Sequence, residues 1–121
     1  MTIKILIVDD EEDIRLLVKS LLEDFGYEVS MAKDGKECLA KLKKKKFNLV
    51  LMDFFMPLMS GREAVEKIRK NPKLKNTKII FLTVADFRVE GMEALKKLKI
   101  LDYITKPFSN EDLKKRIKKI I

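Results

Sequence analysis

Short apolar runs and amphipathic segments alternate along the whole of this chain of 121 residues. The apolar runs are short enough for buried strands, and the amphipathic segments have apolar residues three and four positions apart, as a helix with one buried face requires. Strict alternation of this kind predicts a parallel sheet with right-handed crossovers and helices on both faces. The length fits a single domain over residues 1–121.

The predicted strands are Ile3–Val8, Tyr27–Met31, Phe47–Met52, Lys78–Leu82 and Ile100–Ile104. The predicted helices are marked by the segments Ile14 to Phe25, Cys38 to Leu42, Ala64 to Ile68, Glu90 to Leu98 and Asn110 to Ile120. Gly26 is expected to end the first helix, and Ser109 or Asn110 to cap the last.

Polar residues stand where four of the apolar runs end. Asp9 and Asp10 follow the first run, Asp53 follows the third, Thr83 follows the fourth, and Lys106 lies just past the fifth. An ionised carboxylate cannot stay unpaired in an apolar layer, so these acids must emerge at the carboxyl edge of the sheet. That edge is where parallel sheets form their ligand crevice. The five side chains are therefore expected to converge.

Three converging carboxylates repel one another by about 4 kcal/mol per pair at ~4 Å and an effective dielectric near 20, so they call for a cation or a shared proton. An all-oxygen set suits Mg²⁺, and the chain has no histidine and one cysteine for a softer metal. A carboxylate beside Mg²⁺ can also attack phosphorus. Lys106 and Thr83 would then stabilise the phosphoryl oxygens.

Each of these residues also has a plainer interpretation. Asp10 can serve as the cap of the first helix, Thr83 as a turn residue, and Lys106 as one of many surface lysines. The joint position of all five at one edge favours the phosphoryl-transfer site.

The net charge of +8 is concentrated in Lys41 and Lys43 to Lys46. Such a run is compatible with nucleic acid or an anionic partner, but lysines at the end of a helix also complement its dipole, and a solvated helix end is the favoured interpretation. Cys38 cannot form an internal disulfide and is expected to be a small packing residue at a helix surface or half-buried. No apolar stretch approaches the ~20 residues of a membrane span, so a cytoplasmic protein without membrane contact is expected.

The motifs are Val8-Asp9-Asp10-Glu11, Asp53-Phe54-Phe55-Met56-Pro57 with Met59 and Gly61, Leu82-Thr83, and Tyr103-Ile104-Thr105-Lys106-Pro107-Phe108. Along its whole length the chain thereby resembles the receiver domain of two-component response regulators, in particular single-domain regulators of the chemotaxis type. The resemblance implies an α/β, flavodoxin-like (βα)5 fold with a doubly wound five-stranded parallel sheet in the order 2-1-3-4-5.

The resemblance also implies a role for each site residue. Asp53 is the phosphoacceptor, and Asp9 and Asp10 hold Mg²⁺ together with Asp53 and the backbone carbonyl of Phe55. Lys106 pairs with the acceptor carboxylate or with the phosphoryl group, and the Lys106-Pro107 bond is expected to be cis. Such a domain is a regulatory phosphoacceptor rather than an enzyme, with intrinsic self-phosphorylation and self-dephosphorylation chemistry.

Signalling in this family couples Thr83 to an aromatic residue, here Tyr103, and changes the surface of the fourth helix, fifth strand and last helix. That surface would control an effector protein, which the sequence does not identify. The phosphoryl group would come from a phosphohistidine on a sensor kinase or phosphotransfer protein docked on the first helix. Ile14, Leu17 and Leu21 are expected to divide between the core and that partner.

The sequence departs from the family pattern at three places. Phe55 and Val84 are bulky beside the acceptor, and we expect them to exclude water and prolong the phosphorylated state. The segment Lys97 to Leu101 lacks the usual glycine, so the fourth helix must end without a glycine cap.

Other classes of protein fit less well. Phosphatases of the haloacid dehalogenase type have two aspartates spaced by one residue, whereas Asp9 and Asp10 are adjacent, and they usually carry a cap insertion. A nucleic-acid-binding module would need a helix that is basic along a full face with interleaved aromatics, so direct nucleic-acid binding is not expected. The basic last helix is open to three interpretations: a solvated face, a surface for an acidic partner, or a homodimer formed on phosphorylation. The chain is either a stand-alone regulator or a receiver module excised from a larger one.

Overall fold

The fold is taken from a computed structural model that describes residues 2–84, 93 and 96–121. Its strands are β1 (Lys4–Val8), β2 (Glu28–Ala32), β3 (Leu49–Met52), β4 (Ile79–Val84) and β5 (Asp102–Lys106). Its helices are α1 (Glu12–Asp24), α2 (Gly35–Lys44), α3 (Gly61–Lys70) and α4 (Asn110–Ile120). The helix predicted over Glu90 to Leu98 lies largely outside the described residues.

The five strands form one parallel sheet in the order β2-β1-β3-β4-β5, which confirms the predicted topology. Val8 pairs with Met52 in the register of β1 and β3, so the residues that follow each strand, Asp9 and Asp53, emerge next to each other. The register of β4 and β5 sets Val84 beside Lys106. The sheet therefore delivers the acids and the lysine to one edge.

The core has two layers, because successive strand residues point to opposite faces of the sheet. On one face, α2 and α3 pack through Cys38, Leu42, Ala64, Val65 and Ile68. On the other face, α1 and α4 pack through Val18, Leu22, Leu113 and Ile117. Both faces are thus covered, as the apolar runs predict.

Local signals set most of the helix ends. The side chains of Asp34, Ser60 and Ser109 accept hydrogen bonds from backbone N–H groups in the first turns of α2, α3 and α4. Gly26 follows α1 with φ of 97°, a conformation that favours glycine. The residue that caps α4 is accordingly Ser109 rather than Asn110.

Several sequence predictions about position were wrong. Asp10 is not the cap of α1, because Glu11 occupies that position and makes no side-chain cap. Cys38 is fully buried rather than half-buried. Strands β4 and β5 end two residues later than predicted, so Thr83 and Lys106 lie inside their strands instead of after them. Among the described residues, none of the helices is both long and apolar enough to cross a bilayer.

Candidate functional site

Three carboxylates meet at the carboxyl edge of the sheet. Asp9 follows β1, Asp53 follows β3, and the two are 1% and 5% exposed, whereas Asp10 is exposed. One carboxylate oxygen from each of the three lies within 4.8 Å of the others. The backbone N–H of Asp53 donates to the carbonyl of Val8 at 2.9 Å, which fixes the acceptor carboxylate next to the start of the β1 loop. The predicted convergence of the acids is confirmed.

Lys106 supplies the positive charge of this cluster. Its ammonium donates to Asp9 Oδ2 at 2.7 Å and lies 3.5 Å from Asp53 Oδ2 and 3.9 Å from Glu11 Oε1. Its side chain is only 12% exposed. The peptide bond to Pro107 is cis, as expected. Lys106 therefore bridges two acids, with Asp9 as its nearer partner.

Burial and charge shift the pKa values of the central pair in the same direction. The pKa of Asp53 is raised to about 6, because burial and the charges of Asp9 and Asp10 outweigh the opposing effects of Lys106 and of the Phe55 N–H. Burial lowers the pKa of Lys106, but its hydrogen bond to Asp9 and the charges of the surrounding acids raise it further. The lysine stays charged, and the acceptor carboxylate is held at a cost that an added cation would relieve.

Thr83 faces this site from β4 with a buried hydroxyl. The residue is 0% exposed, and no described residue hydrogen-bonds its Oγ1. A buried hydroxyl without a partner is costly, so a site of this kind is suited to an oxygen-rich ligand that supplies one. Tyr103, two positions before Thr105 on the neighbouring strand, is half-buried and packs against the core layer of α2 and α3.

The loop after β3 holds the acceptor from the other side. The N–H of Phe55 donates to Asp53 Oδ1 at 3.2 Å, and the N–H of Met59 donates to the carbonyl of Pro57 across Leu58, which has φ of 68°. A Cβ at Gly61 would collide with the backbone oxygen of Asp53. Only glycine therefore lets α3 begin this close to the acceptor.

Sequence reasoning missed two residues that hold Asp9. Arg15 donates from Nη1 to the Asp9 carbonyl at 2.7 Å, and the Glu11 N–H donates to Asp9 Oδ1 at 2.9 Å. The position of Arg15 in the first turn of a helix that starts beside the acids was a usable signal, because a long cation there can reach back to the preceding loop.

The exposed face of α1 is apolar at two neighbouring positions. Leu16 and Leu17 are 50% and 51% exposed, while Ile14 and Leu21 are partly buried against the core. The expected division therefore places Leu17 outward and Ile14 and Leu21 inward. Leu16 was not predicted to lie on this face.

The donor set fits Mg²⁺. It consists of carboxylate oxygens without a described sulfur or imidazole ligand nearby, and one of its acids, Asp10, is open to solvent, which leaves room for bound water. Residues 5–118 match the family model described as the response regulator receiver domain.

Individual relatives agree with that match. The uncharacterized transcriptional regulatory protein YrkP of Bacillus subtilis is 42% identical over 117 residues, which cover 97% of this chain and 48% of that protein. This chain spans about half the length of the first curated relatives it matches. The solved structure of chemotaxis protein CheY4 of Vibrio cholerae is 36% identical with a TM-score of 0.93, and both chains are covered completely. The structure of response regulator protein TrrA of Thermotoga maritima, solved in complex with Mg²⁺ and BeF, is 38% identical with a TM-score of 0.85, again over 100% of both chains.

Proposed function

The chain belongs to the response regulator receiver domain family, and from that membership we propose that it is a phosphorylation-dependent switch whose phosphoacceptor is Asp53. The observation that carries the proposal is the surrounding of this one carboxylate. Asp53 is buried beside two further acids, is within 3.5 Å of the Lys106 ammonium, and shares its sheet edge with the unpartnered hydroxyl of Thr83.

The transfer step needs a nucleophile, charge neutralisation and a leaving group. An Asp53 carboxylate oxygen attacks the phosphorus of a phosphohistidine; a P–O bond forms, the P–N bond breaks, and the departing imidazole takes up a proton. Mg²⁺ held by Asp9, Asp10, Asp53 and the Phe55 carbonyl would neutralise charge on the phosphoryl oxygens. The complex of TrrA with Mg²⁺ and BeF supports this choice of metal.

Lys106 and Thr83 stabilise the product. When the phosphoryl group adds charge at Asp53, the Lys106 ammonium can leave Asp9 for a phosphoryl oxygen without breaking out of its buried position. The Thr83 hydroxyl gains the acceptor it lacks, since no described residue now hydrogen-bonds it. Hydrolysis of the aspartyl phosphate returns the domain to its starting state, so the chemistry is that of a self-resetting regulator.

The switch runs from the site into β5. Movement of Thr83 towards the phosphoryl group would leave space that the half-buried Tyr103 ring fills, and this would change the surface made by the predicted fourth helix, β5 and α4. That surface is the proposed control point for an effector protein. The exposed Leu16 and Leu17 on α1 are the proposed docking points for the kinase or phosphotransfer protein that supplies the phosphoryl group.

The test is labelling by a small phosphodonor such as acetyl phosphate, followed by intact-protein mass spectrometry. Wild-type protein should gain one phosphoryl group with Mg²⁺ and none with EDTA, and Asp53→Ala should not be labelled. Asp13→Ala removes an exposed acid of α1 outside the carboxylate cluster and should be labelled like the wild type. Mg²⁺-dependent labelling that persists in Asp53→Ala would overturn the assignment.

A further inference from the structure

The net positive charge of this protein lies almost entirely in one half of the chain. Residues 33–78 contain 14 Lys and Arg against 5 Asp and Glu, a net charge of +9, whereas the remaining residues together carry −1. This segment comprises α2, β3 and α3 with their loops. It leaves the α2 and α3 side of the domain basic, on the opposite face of the sheet from α1 and α4.

A trough runs along that side between α2 and α3. Its first cavity, about 460 Å³, has a floor of Leu39, Ala40 and Met59, and the lysines around it are Lys36, Lys43, Lys44 and Lys67. Its second cavity, about 750 Å³, is lined by residues 42–46 and 71–74 and shares Lys43 and Lys44 with the first. We call the two joined cavities the lysine trough.

The charges of the lysine trough have no internal counterpart. No acidic residue lines either cavity among the described residues. Of the trough lysines in the described part of the chain, only Lys45 forms an ion pair, with Glu28 at 3.0 Å. The remaining lysines are exposed and repel one another, which an anionic partner would relieve.

We propose that the lysine trough is a docking surface for an acidic polypeptide segment that carries apolar side chains between its carboxylates. The charge of the rim selects an anion, and the apolar floor of the first cavity selects the polypeptide. Leu39 and Met59 there are half-buried and leave space for one or two side chains of leucine size. A nucleic acid would leave this floor unused, because that cavity has no aromatic side chain on which a base could stack.

This surface is separate from the phosphorylation chemistry. None of its lining residues is an acid of the site, and the one segment the two share is the loop after β3, which contributes Met59 to the trough. The proposal therefore stands or falls independently of the role of Asp53.

The test uses a fluorescein-labelled synthetic peptide of repeated Glu-Glu-Leu units and fluorescence anisotropy. Wild-type protein should bind it, and binding should weaken from low salt to physiological ionic strength. The triple substitution Lys43→Gln, Lys44→Gln and Lys67→Gln should weaken binding by about tenfold, as the loss of three exposed ion pairs would. The corresponding triple Arg variant keeps the charge and should retain binding, which separates a lost contact from a lost fold.

Two controls address specificity. Lys115→Gln, Lys118→Gln and Lys119→Gln remove the same charge from exposed positions of α4 and should leave affinity within about twofold of the wild type. Ala40→Gln fills the first cavity without changing charge, and should weaken binding of the Glu-Glu-Leu peptide but not of a poly-glutamate peptide of equal charge. Equal loss in both triple variants, no effect of Ala40→Gln, absent binding, or tighter binding of an oligothymidylate of equal charge would each overturn the proposal.

Discussion

The Asp53 carboxylate is held where its charge is unfavourable. Its pKa is raised to about 6, chiefly by burial, even though Lys106 lies 3.5 Å away. In the metal-free protein the ionised form therefore opposes folding above pH 6. We expect Asp53→Asn to raise the free energy of unfolding at pH 8 by about 2 kcal/mol, since each unit of pKa shift corresponds to about 1.4 kcal/mol. Urea denaturation in EDTA measures this.

Asp13→Asn is the matched control for that experiment. Asp13 is an exposed acid in the first turn of α1, where a negative charge complements the helix dipole. Its loss should lower the free energy of unfolding slightly. A decrease of similar size in Asp53→Asn would mean that the acceptor charge is fully compensated in the metal-free fold.

Phe55 and Val84 are the two residues at the site for which we predict a kinetic role. Their side chains are 43% and 49% exposed, and the N–H of Phe55 donates directly to Asp53 Oδ1, so its ring begins beside the acceptor. If that ring excludes attacking water, Phe55→Asn should shorten the lifetime of the aspartyl phosphate by about an order of magnitude, or ~1.4 kcal/mol in barrier. Loss of radiolabel after removal of the phosphodonor measures the lifetime.

Leu58→Asn provides the comparison, because Leu58 is fully exposed in the same loop and its φ of 68° suits asparagine. Its phosphate lifetime should match that of the wild type. An unchanged or longer lifetime in Phe55→Asn would rule out water exclusion by the ring.

At the level of elements, Arg69 joins α3 to the strands on either side of it. Its guanidinium donates to the carbonyls of Leu98 at 2.7 Å, Thr77 at 2.7 Å, Lys75 at 2.9 Å and Lys99 at 3.2 Å. It therefore ties the approaches to β4 and β5 to one helix. Lysine cannot reproduce this planar set of donors, so Arg69→Lys should lower the free energy of unfolding by about 2 to 3 kcal/mol.

Arg62→Lys makes the same change on the same helix. Arg62 forms only a partly exposed ion pair with Glu93 at 3.8 Å, so its substitution should cost less than about 0.5 kcal/mol. Urea midpoints of the two variants compare them directly. Equal effects would show that the carbonyl contacts of Arg69 contribute little.

The sequence predicted the order of elements well because strand and helix periodicities are local and both faces of the sheet are covered. Element ends were less predictable, because they depend on pairing with a neighbour: β5 continues to Lys106 since Val84 of β4 pairs with it. The missing glycine before β5 was visible in the sequence, but only the structure places Lys99 in the left-handed region, with φ of 56°.

The candidate site shows the same division. Convergence of Asp9, Asp10 and Asp53 follows from strand order alone and could be predicted. The nearer pairing of Lys106 with Asp9, and the hydrogen bond from Arg15 to the Asp9 carbonyl, depend on side-chain reach across elements far apart in sequence. No periodicity in the sequence encodes such contacts.

On the scale of the whole molecule, Cys38 reports on global stability because it lies in the core layer between α2 and the sheet. The thiol is fully buried, and burial raises its pKa to about 12 from an ordinary value near 9. Between these values the unfolded chain loses the thiol proton while the folded chain keeps it. The unfolded state then binds fewer protons, so this group makes stability fall as pH rises above 9, by up to about 1.4 kcal/mol per pH unit.

Cys38→Ala isolates this contribution, because alanine leaves every other titrating group in place. The difference in free energy of unfolding between wild type and variant, taken from urea denaturation, should be constant below pH 8 and shift against the wild type by about 1 kcal/mol between pH 9 and 10. The constant part reflects the small cavity that alanine leaves. Because the thiolate forms only in the unfolded chain, reaction with an aromatic disulfide reagent at pH 8 should be limited by unfolding. Parallel stability profiles, or fast modification of the native protein, would show that Cys38 is accessible without global opening.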